Sequence, residues 1–323
     1  MSTDDAADEF EIIRQYFAPL AATAEGAFNL TDDAATIPQT DGFDTVVTTD
    51  AIVAGVHFLD DETPSNIAAK LCGSNLSDLA AMGAKPVGFT LACAWPKGTS
   101  LNTISEFAEG LREWVDGYDF PLLGGDTVST EGPATFSLTA IGKVATGKCL
   151  RRNGAKVGDK IFVTGTIGDG ALGLLAAKGE LATMDANHLN DLEDRYRRPR
   201  PRINAGLALV GHVNACIDIS DGLVQDLSHI ADASKVAVQL NLDAIPLSEA
   251  GQLILQQNPE ALNSIVSGGD DYELLFCASE TPSGLDVQVT EIGEVISGAG
   301  GIDIRDKDGK QVQLARTGYN HFK

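Results

Sequence analysis

Asn75-Leu76-Ser77-Asp78-Leu79-Ala80-Ala81-Met82-Gly83, together with Thr48-Thr49-Asp50 and His57-Phe58, lies in the segment from Val46 to Pro86 around which the chain is organised. Thr45 to Thr49 is rich in β-branched residues and reads as a strand, so Asp50 is expected at its end, where a carboxylate can leave the sheet and meet a ligand. Thr63-Pro64-Ser65 opens a helix whose apolar face is Leu71, Leu76, Leu79 and Ala80, and Gly83 and Pro86 stop it. Asn75 and Asp78, three residues apart, share another face of that helix. If the strand end and this face converge, two acids, two threonine hydroxyls and an amide surround one point, an oxygen-rich setting suited to Mg²⁺ and the phosphates it carries. Taken singly, each acid fits an ordinary cap or a solvated position.

On the N-terminal side, Glu9 to Leu20 reads as a short amphipathic helix with Phe10, Ile13, Phe17 and Leu20 on one side. Leu30 to Ala35 carries the paired carboxylates Asp32 and Asp33 between two expected strands, and adjacent acids on extended chain point different ways. On the C-terminal side, Gly88 to Ala94 is a strand and Ile104 to Val115 a helix. Leu122-Leu123-Gly124-Gly125-Asp126-Thr127 is expected to be a buried strand opening into a turn, with Asp126 as a further metal ligand. A lone Gly-Gly-Asp is a weak signal, since hairpins use the same residues. Phe136 to Val144 is another apolar strand.

Composition shifts at the basic, glycine-punctuated stretch Gly147 to Asp159, which places a boundary between a domain of residues 1–147 and one of 148–323. Here Arg151 or Arg152 can meet a nucleotide phosphate, or can sit on a solvated linker. Ile161 to Gly170 passes from strand through a glycine turn into a helix, but its spacing is neither GxGxxG nor GxxxxGK[ST]. A polar helix is expected over Gly179 to Arg195 and another over Asn204 to Val210. Ala215 to Leu223 is the second strong cluster. A buried strand delivers Asp218 and Ser220 to its end, a helix begins at once, and its first amides can hold an anion while Asp218 and Asp221 hold a cation. Ser220 also suits a plain N-cap. Ser267-Gly268-Gly269-Asp270-Asp271-Tyr272-Glu273 repeats the order of glycines, acids and strand. Tyr319, near the end, can stack on a flat ring or pin the terminus to the core.

A chain of 323 residues with 43% hydrophobic content can bury a full core in two domains. The net charge of -23 argues against nucleic acid, which needs a basic face, and a phosphate binder this acidic needs divalent cations between its acids and its ligand. No apolar run approaches the length of a membrane span, and Asp4, Asp5, Asp8 and Glu9 do not resemble a signal peptide, so a cytoplasmic location is expected. Cys72, Cys93, Cys149, Cys216 and Cys277 lack CxxC spacing and read as reduced, buried thiols.

Thr48-Thr49-Asp50 with Gly55-Val56-His57-Phe58, Asn75 to Ala84, Gly124 to Thr127, Asp218-Ile219-Ser220-Asp221-Gly222 and Gly268 to Leu274 together resemble the thiamine-monophosphate kinase family over nearly the whole chain. That family belongs to the PurM-like (aminoimidazole-ribonucleotide synthetase) superfamily of ATP users without a P-loop. The resemblance implies an α/β (α+β) two-domain architecture whose N-terminal sheet pairs with a second subunit's, hence a homodimer, with ATP as co-substrate and several Mg²⁺ ions. It implies Asp33, Thr48, Thr49, Asp50, Asp78, Asp126, Asp218 and Asp221 as metal ligands and Gly125, Asp126, Arg152 and Ser220 as nucleotide contacts. His57, Asp270, Glu273 and Tyr319 fall on the side of thiamine monophosphate. No covalent nucleophile is implied, and no membrane or nucleic-acid partner. Another PurM-like synthetase, a Mg²⁺-dependent phosphatase and a non-catalytic nucleotide sensor are the competing readings.

Overall fold

The computed structural model describes residues 9–30, 34–181, 184–314 and 318. Asp33 and Tyr319 therefore lie outside the described residues. The chain divides into two compact units, one of residues 1–79 and 85–146 and one of 80–84 and 147–323.

The first unit opens with α1 (Glu9–Ile12), which continues irregularly to Ala21 and buries Phe17 and Leu20. Residues Glu25–Leu30 form a 3₁₀ turn that kinks through left-handed Phe28, Asn29 and Leu30, so the segment before the paired acids turns where a strand was expected. A four-stranded sheet follows, made of β1 (Phe43–Val53), β2 (Lys85–Pro96), β3 (Leu122–Thr130) and β4 (Thr135–Ala145) in the order β1-β4-β2-β3. The helices α2 (Pro64–Ala81) and α3 (Leu101–Tyr118) join these strands. Thr63 caps α2 by accepting from Asn66 N at 3.3 Å, and Ser100 caps α3 by accepting from Thr103 N at 3.1 Å.

The pleat sorts each strand by parity. Ile52, Phe89, Leu91, Cys93, Trp95, Phe136, Leu138 and Ala140 are buried, and the Phe107 ring of α3 stacks on Phe136 at 4.7 Å with Trp95 edge-on at 5.3 Å. The alternate residues of β1 face outward, with Val47 61% exposed. Two strands depart from expectation. β1 runs on through Ala51-Ile52-Val53, so Asp50 sits within the ladder opposite Leu138 and not at its end. β3 continues as strand through Gly124 and Gly125 to Thr130 with no turn, after a one-residue register shift at Leu123. Gly125 pairs with Leu91, whose carbonyl oxygen a Cβ at this position would overlap, so the glycine serves close strand packing.

The second unit carries a six-stranded sheet in the order β10-β7-β9-β5-β8-β6. Its strands are β5 (Lys160–Thr164), β6 (Ala215–Asp218), β7 (Ala237–Asn241), β8 (Leu274–Ala278), β9 (Val289–Ile296) and β10 (Ile302–Arg305). Its helices are α4 (Asp169–Ala177), α5 (Ala186–Arg197), α6 (Ile203–Leu209), α7 (Leu223–Ser234), α8 (Glu249–Gln257) and α9 (Ala261–Ser267). The polar helix expected from Gly179 begins only at Ala186. Ile161, Val163, Ile217, Leu227, Ile230, Val238, Leu275 and Val295 form one apolar core. The five cysteines are free thiols, four of them buried and Cys149 half-buried. Among the described residues no helix is long and apolar enough to cross a membrane.

Candidate active site

In the first unit, parity decides which of the expected ligands meet. Thr48 and Asp50 pair with the buried Ala140 and Leu138, so both face α2. Thr48 Oγ1 donates to Asp78 Oδ2 at 2.5 Å, and Asn75 Oδ1 accepts from Asp50 N at 3.1 Å. Asn75 is in turn held by donating to Leu71 O at 2.9 Å, so the shared helix face reaches the strand as expected. Ser74, absent from the expected set, hydrogen-bonds the Asp50 carboxylate. Burial pushes the Asp50 carboxyl above its ordinary value, while Ser74 and the nearby His57 pull it back. His57 Nδ1 accepts from Val53 N at 3.1 Å, so the neutral ring carries its proton on Nε2.

Thr49 does not join this group. Its hydroxyl meets that of Thr139 at 2.8 Å on the opposite face of the sheet, because neighbours on a strand point apart. Asp126 shares that open face through its pairing with exposed Ala92. The expected convergence of both threonines on one point is therefore corrected to Thr48 alone. Beside β3 lies a cavity of about 300 Å³ lined by Phe17, Leu91, Cys93, Leu123, Gly125 and Asp126, among others.

In the second unit, two motifs far apart in sequence form one loop pair. Ile219 N donates to Glu273 O at 2.8 Å, Tyr272 N to Ile219 O at 2.8 Å, and Asp270 N to Ser220 O at 2.9 Å. Asp218 ends β6 and is 3% exposed, Asp221 and Asp270 are half-buried, and Ser220 is exposed. Ser220 is not the N-cap of α7. That position is Gly222, whose φ of 118° and close approach to the Ser267 backbone exclude a side chain. Nor do the amides at this turn await an anion: Ser220 N, Asp221 N and Gly222 N all donate to Asp226 Oδ2 at 3.1 Å. Asp226 was legible only as an acid in the first turn of a helix. Burial, with Asp221 beside it, pushes its carboxyl up to about 7. Asp221, Asp226 and His229 each bring a ligand atom within 4.8 Å of the others.

Glu273, expected on the substrate side, is 0% exposed. Arg202 donates to it twice, at 2.6 and 2.5 Å, Arg195 Nη2 once at 2.9 Å, and Thr164 Oγ1 once at 2.6 Å. Asp271 is equally enclosed, accepting from Gly168 N at 2.8 Å and Gly170 N at 3.0 Å at the start of α4. Of the three acids in this motif, Asp270 alone retains exposure. Arg152 is exposed, with its carbonyl accepting from Ser234 Oγ at 3.1 Å.

The expected metal ligands are carboxylates and hydroxyls, a hard-oxygen set without thiol or imidazole, which fits Mg²⁺. A cation beside Asp50 would also offset the desolvation that raises its pKa.

Models of the AIR synthase related protein family match the chain twice, the N-terminal domain over residues 31–144 and the C-terminal domain over 156–304. A thiamine-monophosphate kinase of Caulobacter vibrioides is 43% identical, over 97% of this chain and 90% of that protein. The solved structure of thiamine-monophosphate kinase from Stenotrophomonas maltophilia is 39% identical with a TM-score of 0.79, covering 88% of this chain and 91% of that one. AaThiL complexed with AMPPCP and TMP is 30% identical with a TM-score of 0.79, covering 90% and 91%. With matched relatives along its length and the same two-sheet architecture, the chain belongs to the thiamine-monophosphate kinase family.

Proposed function

We propose that this chain transfers the γ-phosphoryl group of ATP to thiamine monophosphate, giving thiamine diphosphate, with Mg²⁺ as the metal. The observation that carries this reading is the bolting of Asp50 and Asp78 to each other's elements through Thr48 and Asn75, with His57 beside them, in a chain similar to kinases of this name. The relative solved with AMPPCP and TMP supports both substrates.

The acceptor is a phosphate monoester, largely deprotonated near neutral pH, so the attacking oxygen needs little help from a base. The obstacle is repulsion: each pair of unit charges about 4 Å apart costs roughly 4 kcal/mol at an effective dielectric near 20. Asp50, Asp78 and Thr48 would hold Mg²⁺ on the α2 face of the first unit's sheet, with Asp33 as a further ligand, whereas Thr49 and Asp126, on the open face, would not share that ion; Asp218 and Asp221 would hold Mg²⁺ in the second unit. Bound there, Mg²⁺ supplies the positive charge that offsets the phosphates and the charge of the transferred group. His57 presents Nε2–H as a donor to the substrate phosphate. The residues are holders and donors, and transfer is direct. The buried thiols of Cys72, Cys93 and Cys216 are pushed well above the ordinary range and do not serve as nucleophiles.

Gly125, Asp126, Arg152 and Ser220 are the nucleotide contacts in this reading, and the apolar walls of the cavity beside β3 suit a purine. Of the acids in the 268–273 motif, Asp270 faces thiamine monophosphate, joined by Tyr319. Residues 1–147 form the ATP- and Mg²⁺-binding domain and 148–323 the second domain. The chain works as a cytoplasmic homodimer, an assembly supported by β1, a sheet edge bearing exposed Phe43 and Val47.

Incubation with ATP, Mg²⁺ and thiamine monophosphate tests the proposal. Thiamine diphosphate in step with ADP is expected. Inorganic phosphate alone would favour a hydrolase, and no turnover a sensor. The relatives' name gives neither alternative support.

A further inference from the structure

The stretch from Leu150 to Asp159 combines exposed basic side chains with a backbone tied down at most of its residues. Leu150 N donates to Met82 O at 3.1 Å, and Cys216 N donates to Arg151 O at 2.9 Å. At the far end Lys156 N donates to Asp159 Oδ2 at 2.8 Å, and Asn214 Nδ2 meets both oxygens of that carboxylate at 3.0 and 2.9 Å. A Cβ at Gly154 would overlap Asn214 O, so the chain passes here close against the backbone of residue 214.

Between these ties sits one hydroxyl. Ser234 Oγ accepts from Gly154 N at 3.0 Å and from Ala155 N at 3.2 Å, and it donates to Arg152 O at 3.1 Å. A serine hydroxyl has one proton and two lone pairs, so three bonds use all of its capacity. Serine in a helix can bond the carbonyl four residues back. Ser234, the last residue of α7, instead serves partners 79 to 82 positions away.

The braced segment carries Arg151 and Arg152, both exposed. Among the described residues neither side chain forms an ion pair, whereas Arg195, Arg197, Arg200, Arg202 and Arg305 each meet a carboxylate. In a chain with a net charge of -23, a guanidinium kept clear of the acids is one kept for an anion. An arginine that grips a phosphate gives up its rotamer freedom, and a mobile backbone beneath it would add to that cost. Bracing the backbone beforehand leaves only the side chain to be ordered.

We propose that Ser234 is a positioning residue for nucleotide binding: its hydroxyl sets the 152–155 backbone so that the Arg152 guanidinium is presented to the phosphates of ATP. This rests on the reading of Arg152 as a nucleotide contact. α7 thereby serves the nucleotide from both ends, since the turn that leads into it carries Ser220.

The test uses the full-length enzyme and reads KM for each substrate, kcat and the melting temperature. Ser234→Ala removes the three bonds and is expected to raise KM for ATP about tenfold, while KM for thiamine monophosphate and kcat stay within about twofold. A purely structural defect would lower the melting temperature without singling out ATP. Ser234→Thr keeps the hydroxyl and should hold KM for ATP near that of the parent. Arg152→Ala should raise KM for ATP at least as far as Ser234→Ala, and combining the two should change it no further. The positioning role is overturned if Ser234→Ala leaves KM for ATP unchanged, if Ser234→Thr is as impaired as Ser234→Ala, or if Ser234→Ala has its full effect in the Arg152→Ala background. An unchanged KM for ATP in Arg152→Ala overturns instead the reading of Arg152 on which the proposal stands.

Discussion

The α2–β1 contact of the first unit and the β6–α7 and α9–β8 loops of the second both set several acids beside a helix, yet they use them differently. In the first, the carboxylates accept from hydroxyls of the facing element, Asp78 from Thr48 and Asp50 from Ser74, while Asp50 N donates to Asn75 Oδ1. In the second, half the acids are absorbed by the fold: Asp226 by three amides, Asp271 by two, Glu273 by two arginines. Asp221 instead accepts from Gln225 Nε2 at 2.9 Å and Asp270 from Tyr272 Oη at 3.0 Å, both neutral donors, and Asp218 closes β6. The donor that an acid meets, more than the number of acids, decides whether it serves structure or chemistry.

Substitutions can break that contrast. Asp50→Ala and Asp78→Ala should lower turnover by about 10²–10³-fold or more at saturating Mg²⁺ while circular dichroism stays native. Near-normal activity in either would remove the first unit's acids from the chemistry. Glu273→Ala should act on the fold, removing the buried carboxylate that Arg195 and Arg202 share and costing about 3–5 kcal/mol in urea denaturation. A variant as stable as the parent would mean that this buried ion-pair group carries no structural weight.

The contrast is sharpened by pH. Because Asp226 titrates near 7 when folded and near 3.8 otherwise, the folded chain keeps a proton that the unfolded chain releases between about pH 4 and pH 7. Stability should therefore fall as pH rises through that window. Asp226→Asn keeps an oxygen for the three amides and removes the titration, so a slope of up to about 1.4 kcal/mol per pH unit should flatten. Denaturation midpoints across the window check this, and an identical slope in the variant would assign the proton elsewhere. A smaller effect is expected from Thr48→Val, about 1 kcal/mol of stability through the lost bond to Asp78. Calorimetry on Thr49→Val, whose hydroxyl meets that of Thr139 on the open face, should show the least; equal losses would contradict the parity of β1.

Much of this was readable from residue order. The helix face joining Asn75 to Asp78, the strand before it and the β6–α7 corner follow from local periodicity and caps, which act over a few residues. What escaped depends on distant partners. That β1 would run past Asp50 reflects the ladder offered by Ser137, Phe136 and Thr135 of β4. Glu273 looked like an exposed acid because its arginines lie more than seventy positions away in sequence. Asp226 hid because its role is to receive amides belonging to a turn whose geometry only glycine at 222 permits. The parting of Thr48 from Thr49 was implicit in the period-two pleat, and the attraction of one crowded oxygen cluster concealed it.

The alternation along β1 sets a rule for how related sequences can vary in length. An inserted or deleted residue in the hairpin-like approach near Asp41 and Gly42 shifts nothing that matters, whereas one lodged between Thr48 and Asp50 would turn the second carboxylate to the far side of the ribbon and bring a threonine's neighbour in its place. Family members should therefore tolerate indels up to the start of this ladder and be intolerant of odd-numbered ones inside it.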